Sequence, residues 1–304
     1  MDSIKKILSS AKEIMERLQS GVLHFYQQKD KFWLAVWMGF VLLVWLWNLL
    51  FLNAPALRKV EAGFFNTFII VILVVIFSLL LSLITVNGLI FLQTLANKSA
   101  YWTLTFLLNL IRSIPQIVGI LFSYVGITFL VTGGILQNKF VIILLSAAAI
   151  SIFVFIELMD LMRDRISYFK KLDFFNSMLV CGIPEKRIIN FNILWKNSRI
   201  HILNKIIALA GIAVFLQCSV DFIISVGLNT EINAVNLPVS LGSMLAHIDS
   251  KQDILAVGFS MANPSYIPEL FFKHLQGLTT ASLIVFSLLS VFKISSGFAK
   301  RHRL

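Results

Sequence analysis

The chain has 304 residues, of which 58% are hydrophobic and only 13% are charged, whereas soluble domains are about 25% charged. Its mean hydropathy of +0.86 and its long uncharged runs exclude a soluble globular protein and predict an all-α integral membrane protein. The net charge of +11 does not indicate nucleic-acid binding, because the basic residues lie in separate segments between apolar runs, as they do around membrane spans.

The N-terminal segment 1–31 is predicted to be cytosolic and to contain an amphipathic helix. Its apolar residues recur every three to four positions from Ile4 to Val22, while lysine, arginine and glutamate lie off that stripe. Such a helix suits either the inner surface of a membrane or a contact with the protein's own spans, and the pattern leaves both open.

Six membrane spans are predicted after this segment. The first, 32–52, is uncharged and holds four tryptophans, which anchor spans at membrane interfaces. A short exit loop, 53–61, precedes a core of five spans at 62–292, and a cytosolic tail, 293–304, follows it. Within the core we expect spans near 65–92, around 108–122, and at 140–156, 202–220 and 266–292.

Four polar side chains within these spans or at their ends are candidates for lining a transport pathway. They are Arg112, Gln116, Gln217 and Asp221. A charged residue inside a span is costly and often functional, although Arg112 could also extend its guanidinium to the cytosolic interface. Pro115 is expected to kink the third span, because proline cannot donate the helical hydrogen bond.

The polar segment 163–197, which we call the elbow, separates two long apolar runs. Asp173 is expected to cap a helix over about 174–181. Gly182 is expected to end this helix in the left-handed conformation. Pro184 then suits the first position of a second helix.

The second helix of the elbow is expected to present one apolar face. Ile188, Phe191 and Trp195 recur at helical spacing, and basic residues occupy other positions. The elbow therefore has a compact shape, with two helices joined by a glycine corner between two spans. A cytosolic partner could bind such a shape.

The elbow resembles the cytoplasmic loop of ABC-importer permeases. That motif reads Glu-Ala-Ala, three residues, Gly, nine residues and Ile-x-Leu-Pro, and Gly182 and Leu194 have the required spacing. The peptide/nickel branch adds an arginine nineteen residues before the glycine, which corresponds to Arg163, and an Asp-Tyr pair, seen here as Asp173 and Phe174.

The sequence departs from this motif at several positions. Asn176, Ser177 and Met178 replace Glu-Ala-Ala, Asn192 replaces the isoleucine, and Trp195 replaces the proline. Two further stretches are similar to such permeases. The Arg-x-x-Pro run in the third span resembles the phosphonate branch, and the stretch 237–246 resembles an outer element of the peptide/nickel branch.

The resemblance implies a type I ABC-importer permease subunit in the bacterial inner membrane. Its partners would be a second permease subunit, ATP-binding subunits that use ATP and Mg, an extracytoplasmic solute-binding protein and membrane lipid, and this chain would bind no cofactor. A peptide is the first expected solute, with nickel and phosphonate-like solutes left open. The implied ATPase-coupling residues are Asp173, Asn176, Met178, Gly182, Pro184, Arg187, Leu194 and Trp195.

The distribution of charge predicts that both termini and the elbow are cytosolic. In that topology 21 of the 26 lysine and arginine residues lie inside, as the positive-inside rule favours. The five on the outside are Arg58, Lys59, Lys139, Lys251 and Lys273.

No catalytic or metal site is predicted. The five histidines are scattered, the two cysteines have no metal spacing, and no protease, hydrolase or nucleotide-binding motif is found. A proton-coupled secondary transporter would need paired carboxylates or histidines inside spans, which only Asp221 approaches. This alternative and a structural subunit without a transport role stay open.

Overall fold

The computed structural model describes residues 28–94, 98–228, 237–246, 248–273 and 275–303. All regular secondary structure in these ranges is helical. Five of the described helices are long and apolar enough to cross a membrane, or six if one bent pair counts as a single span. The predicted all-α class and the number of membrane-length helices are confirmed, whereas the predicted N-terminal amphipathic helix lies outside the described residues.

The helices are numbered in chain order. They are α1 Lys29–Phe51, α2 Ala54–Thr94, α3 Lys98–Ser113, α4 Gln116–Thr132, α5 Lys139–Lys170, α6 Asp173–Val180, α7 Glu185–Arg187, α8 Arg199–Leu228, α9 Leu241–Ala246, α10 Ile248–Ala262, α11 Ile267–Lys273 and α12 Leu275–His302. A π-helix, Ile188–Asn197, leads from α7 towards α8, and a 3₁₀ turn, Pro264–Tyr266, precedes α11.

The predicted exit loop 53–61 is instead the start of a helix. Asn53 precedes α2, and its Oδ1 accepts a hydrogen bond of 3.1 Å from the backbone N–H of Ala56. Arg58 and Lys59 therefore lie in the first turns of α2. The sequence pattern did not predict this helix start, because the polar residues of a capped first turn are also typical of a loop.

Helix α5 lies at the centre of the bundle. It packs on α2, α4 and α8, and Ile150, Leu158 and Met159 on it are fully buried. Helix packing in lipid depends on close approach rather than on a hydrophobic driving force. Small residues allow that approach here, and Ser82 of α2 donates a hydrogen bond of 2.9 Å to the carbonyl oxygen of Phe155 on α5.

Helix α1 runs antiparallel to α12. Asp30 forms an ion pair of 2.7 Å with Arg301, and at the opposite end of the pair Thr279 donates a hydrogen bond of 2.9 Å to Asn48. Helix α12 contacts the start of α8 where Ser295 bonds to Asn204 over 3.0 Å. The start of α1 and the end of α12 therefore lie at the same end of the bundle as the elbow, which we call the elbow end.

At the opposite end, which we call the far end, the segment 237–246 packs between α2 and α8. Asn66 of α2 donates a hydrogen bond of 2.7 Å to the carbonyl oxygen of Val239. Ser240 and Ser243 cap α9 reciprocally, with bonds of 2.9 and 3.1 Å. Gly242 then lies so close to α8 that a Cβ atom there would come within 2.6 Å of the Cα atom of Cys218.

We therefore expect Gly242→Ala to destabilise the protein by about 1–3 kcal/mol, because the added methyl group overlaps backbone that cannot move aside. The measurement is the melting temperature of the detergent-solubilised protein. Gly126→Ala in α4 is the matched control, since a Cβ there meets no atom within 4 Å. Equal melting temperatures for the two variants would contradict the close packing of α9 on α8.

Candidate functional site

The corner of the elbow is set by Gly182. Its φ is +78°, and its N–H donates a hydrogen bond of 2.9 Å to the carbonyl oxygen of Leu179. The next N–H, of Ile183, donates over 3.2 Å to the carbonyl oxygen of Met178. These two bonds form a Schellman motif, and the prediction that Gly182 ends the helix in the left-handed conformation is confirmed.

Two predicted helix boundaries in the elbow are wrong by one residue. Asp173 is the first residue of α6, Leu172 is the N-cap residue, and no side chain caps this helix. Asp173 therefore acts through its charge in the positive first turn rather than through a capping bond. Pro184 is the N-cap of α7 rather than its first residue, and its carbonyl oxygen accepts from the N–H groups of Arg187 and Ile188.

The predicted apolar stripe of the second helix is also wrong, because the segment Ile188–Asn197 is a π-helix. Its buried side chains come in two pairs five positions apart, as the i→i+5 hydrogen bonding of a π-helix favours. They are Ile188, Ile189, Ile193 and Leu194. Phe191 and Trp195, which a period of 3.6 places on the same face as Ile188, are exposed, whereas Ile188 is buried. The repeated apolar pairs were the signal that sequence reasoning missed.

Two polar contacts fix the elbow to the bundle. The side-chain amides of Asn190 in the π-helix and Asn87 in α2 bond reciprocally, over 2.8 and 3.1 Å. Lys170 at the end of α5 forms an ion pair of 2.7 Å with Glu185 of α7. The elbow is therefore attached to α2 by a side-chain contact, and its turn at α7 is held to the end of α5, which the elbow includes and from which it continues covalently.

The outer side of the elbow carries apolar and basic side chains together. Val180 is 89% exposed and Trp195 is 67% exposed. Exposed charges on the same short segment are too costly in hydrocarbon, so we expect this surface to lie outside the apolar part of a membrane. We call it the elbow surface, and its exposed apolar and basic members are Phe174, Leu179, Val180, Phe191, Trp195, Lys171, Lys186, Arg187 and Lys196.

The eight predicted coupling residues differ in accessibility. Six of them are exposed, namely Asp173, Asn176, Gly182, Pro184, Arg187 and Trp195. Met178 is half-buried, and Leu194 is only 3% exposed and lies in the core. Leu194 thus packs the elbow onto the core of the bundle, whereas the six exposed residues are accessible to a partner.

The third predicted span is broken rather than kinked. Helices α3 and α4 meet at an angle of 96°, and Pro115 precedes α4 in an extended conformation with ψ of 128°. A proline disfavours helical geometry in the residue before it, which here ends α3 at Ser113. Arg112 therefore lies in the last turn of α3, beside the break, and not in the middle of a continuous span.

Arg112 is paired at the elbow end of the bundle. Its guanidinium donates two hydrogen bonds to the Asp160 carboxylate, of 2.7 and 2.8 Å. On the same face of α5, Glu157 accepts a hydrogen bond of 3.2 Å from Gln116 and forms an ion pair of 2.7 Å with Lys205. We call these five residues the polar clasp. It joins α3, α4, α5 and α8, and it brings Arg112 and Gln116 together as predicted pathway candidates.

The other two pathway candidates lie at the far end. Gln217 is fully buried, and Asp221 is half-buried beside the side chains of Gln217 and Ser240. Lys205 of the clasp and Gln217 are twelve positions apart on α8, or about 18 Å along its axis. The four candidates therefore form two groups at opposite ends, and their role as pathway-lining residues stays a prediction.

No protein-family model matches the chain, and no curated protein sequence matches it significantly. Among the described residues no group of three or more His, Cys, Asp or Glu is arranged to hold a metal ion. Cys181 is an exposed free thiol in the elbow, and Cys218 is a buried one in α8. A functional assignment therefore depends on the residues and geometry of the elbow itself.

We expect Arg112 and Asp160 to contribute to stability as a unit. Both side chains are nearly half exposed, so Arg112→Gln and Asp160→Asn should each lower the free energy of unfolding by about 1 kcal/mol or less. The double variant should lose no more than either single variant. Arg187→Gln removes the same charge from the elbow surface and should leave the melting temperature unchanged. Additive losses at Arg112 and Asp160 would contradict the pairing.

Proposed function

We propose that this chain is the transmembrane permease subunit of an ATP-driven importer of the binding-protein-dependent kind. It would pass a small solute, in the first instance a peptide, across the bacterial inner membrane by alternating access. Separate ATP-binding subunits, with their ATP and Mg, would supply the energy. A second permease subunit would complete the pathway, and an extracytoplasmic solute-binding protein would deliver the solute.

The observation that carries this proposal is the elbow surface. A protein surface that exposes Val180 and Trp195 outside the apolar part of a membrane is typical of a binding site rather than of a simple connection. The corner at Gly182 has the spacing of the permease loop, and its Schellman geometry gives the surface one defined shape.

The anchors of the elbow provide a route for mechanical coupling. A partner that shifts the elbow surface would move α2 through the Asn87–Asn190 pair and α5 through the Lys170–Glu185 pair. It would move α8 directly along the chain. Rigid movement of packed helices of this kind is how domain motions switch a transporter between two states, and the polar clasp would have to rearrange or move as one body.

The elbow surface predicts how two strained variants differ. Gly182→Val should distort the corner at a local cost of about 1–3 kcal/mol, because a β-branched residue does not tolerate a φ of +78°. Co-purification of ATP-binding subunits with the tagged protein, extracted from its native membranes, should then be lost. Gly134→Val is the matched control, since Gly134 has a φ of +74° and equally open space but lies in the turn between α4 and α5 at the far end. It should retain the subunits.

A surface variant separates docking from strain. Val180→Asp places a charge on a side chain that is 89% exposed, so folding should be unaffected while the partner contact is lost. The measurements are the melting temperature and the same co-purification. If wild type, Gly182→Val and Val180→Asp recover ATP-binding subunits equally, or if none recovers any, the elbow is not a docking site and the proposal fails.

The proposed orientation is testable with a native thiol. Because Cys181 is exposed and Cys218 is buried, a membrane-impermeant maleimide should label the wild type in inside-out vesicles and not in intact spheroplasts. Cys181→Ser should abolish labelling. Gln137→Cys in that background places a thiol in the far-end turn and should reverse the pattern. Labelling of Cys181 from outside would put the elbow beyond the reach of cytosolic ATP-binding subunits.

A further inference from the structure

A second group of polar side chains lies at the far end, remote from the elbow. It comprises Tyr124 of α4, Ser146 of α5, Gln217 and Asp221 of α8, and Ser240 before α9, and we call it the Asp221 cluster. The hydroxyl of Tyr124 lies beside Ser146 and Asp221. Asp221 in turn lies beside Gln217 and Ser240. Four separate elements of the fold therefore contribute side chains to the Asp221 cluster.

Close packing holds this cluster in place. Gly242 of α9 lies against α8, where a Cβ atom would come within 2.9 Å of the Cβ atom of Asp221. The capping bonds between Ser240 and Ser243 fix the start of α9. The backbone N–H of Leu241 donates to Thr67 of α2 over 3.0 Å. Ser240 is therefore positioned by its two bonds with Ser243 and by the anchoring of the next residue to α2, none of which involves Asp221.

The cluster contains buried polar atoms that the protein leaves without hydrogen bonds. Tyr124 is 2% exposed and Gln217 is 0% exposed. The hydroxyl of Tyr124 lies near Ser146, and the Gln217 amide lies near Asp221, but the Tyr124 hydroxyl and both polar atoms of that amide form no hydrogen bond of good geometry. Buried polar atoms are nearly always satisfied in native proteins, so something other than a protein group is expected to bind at this position.

The chemistry of the cluster favours a cation of single charge. The available atoms are a carboxylate, an amide and three hydroxyl groups, and no ion pair to Asp221 is formed in the described part of the chain. Oxygen donors of this kind bind hard cations or accept the hydrogen bonds of an ammonium group. One carboxylate balances one positive charge, whereas an anion would be repelled by it. Asp221 itself is half-buried.

We propose that the Asp221 cluster binds one monovalent cationic group. Asp221 supplies the charge, and Tyr124, Gln217 and Ser240 supply neutral oxygen donors. Two sources share this chemistry, a sodium ion and the primary ammonium group of a solute. This proposal does not depend on the elbow, because it requires neither an ATP-binding partner nor a direction of transport.

The test measures the melting temperature of the purified full chain in detergent. Sodium chloride, potassium chloride and ethylammonium chloride are compared with choline chloride at equal concentration, so that ionic strength is constant. A ligand that binds the folded state raises the melting temperature by mass action, and a tenfold excess over its dissociation constant gives a shift of about 2–5 °C. A shift with sodium alone identifies a metal-ion site, whereas a shift with ethylammonium identifies a site for an ammonium group.

Three variants assign any shift to the cluster. Asp221→Asn should abolish it, and Tyr124→Phe should reduce it while leaving the fold intact, because the lost hydroxyl has no partner in the protein. Asp164→Asn removes one charge from an exposed position on α5 and should keep the full shift. The proposal is overturned if no cation differs from choline, or if both Asp221→Asn and Tyr124→Phe retain the wild-type shift. Either result would indicate that water satisfies the buried atoms.

Discussion

The packing of neighbouring helices against one long helix, α5, is the constraint on which the rest of the structure depends. Helix α5 is 32 residues long and continues without interruption from the core to the elbow. In lipid the helices gain little from the hydrophobic effect and must approach closely. The small residues of α5 and the bond from Ser82 to Phe155 permit this approach. Helix α5 therefore carries packing along most of its length, and its elbow half also carries Glu157, Asp160 and Lys170.

Charge is handled differently at the two ends of the bundle. At the elbow end, Glu157, Asp160 and Lys170 of α5 are each paired with an oppositely charged residue of a neighbouring element, through the polar clasp and the Lys170–Glu185 pair. At the far end, Asp221 lies among neutral groups, some of which have no partner. Paired charges stabilise contacts between helices, whereas an unpaired carboxylate beside unsatisfied polar atoms is suited to a ligand. The two ends therefore differ in how their charges are satisfied, as the proposed coupling surface and the proposed cation site each require.

The elbow shows how far local sequence rules reach. The left-handed conformation of Gly182 followed from residue type and spacing, because a Schellman corner is decided within about six residues. The π-helix after it did not follow, since its buried pairs depend on contacts with α2 and the core. Without those contacts, Ile188, Phe191 and Trp195 fit an ordinary helix equally well. The 96° break at Pro115 was likewise only partly predictable, because proline indicates that a helix is disturbed and neighbouring helices decide the angle.

The sequence by itself determined the helical class, the approximate positions of the membrane-length helices and the corner of the elbow. These follow from hydropathy and from local backbone preferences, which act along the chain. Only the tertiary structure decided which polar residues meet. Arg112 and Asp160 are 48 positions apart, Asn87 and Asn190 are 103 apart, and Tyr124 lies in an apolar run with nothing to mark it. The physical reason is that a side-chain contact depends on the rotation and register of two packed helices, and neither is encoded within a single helix.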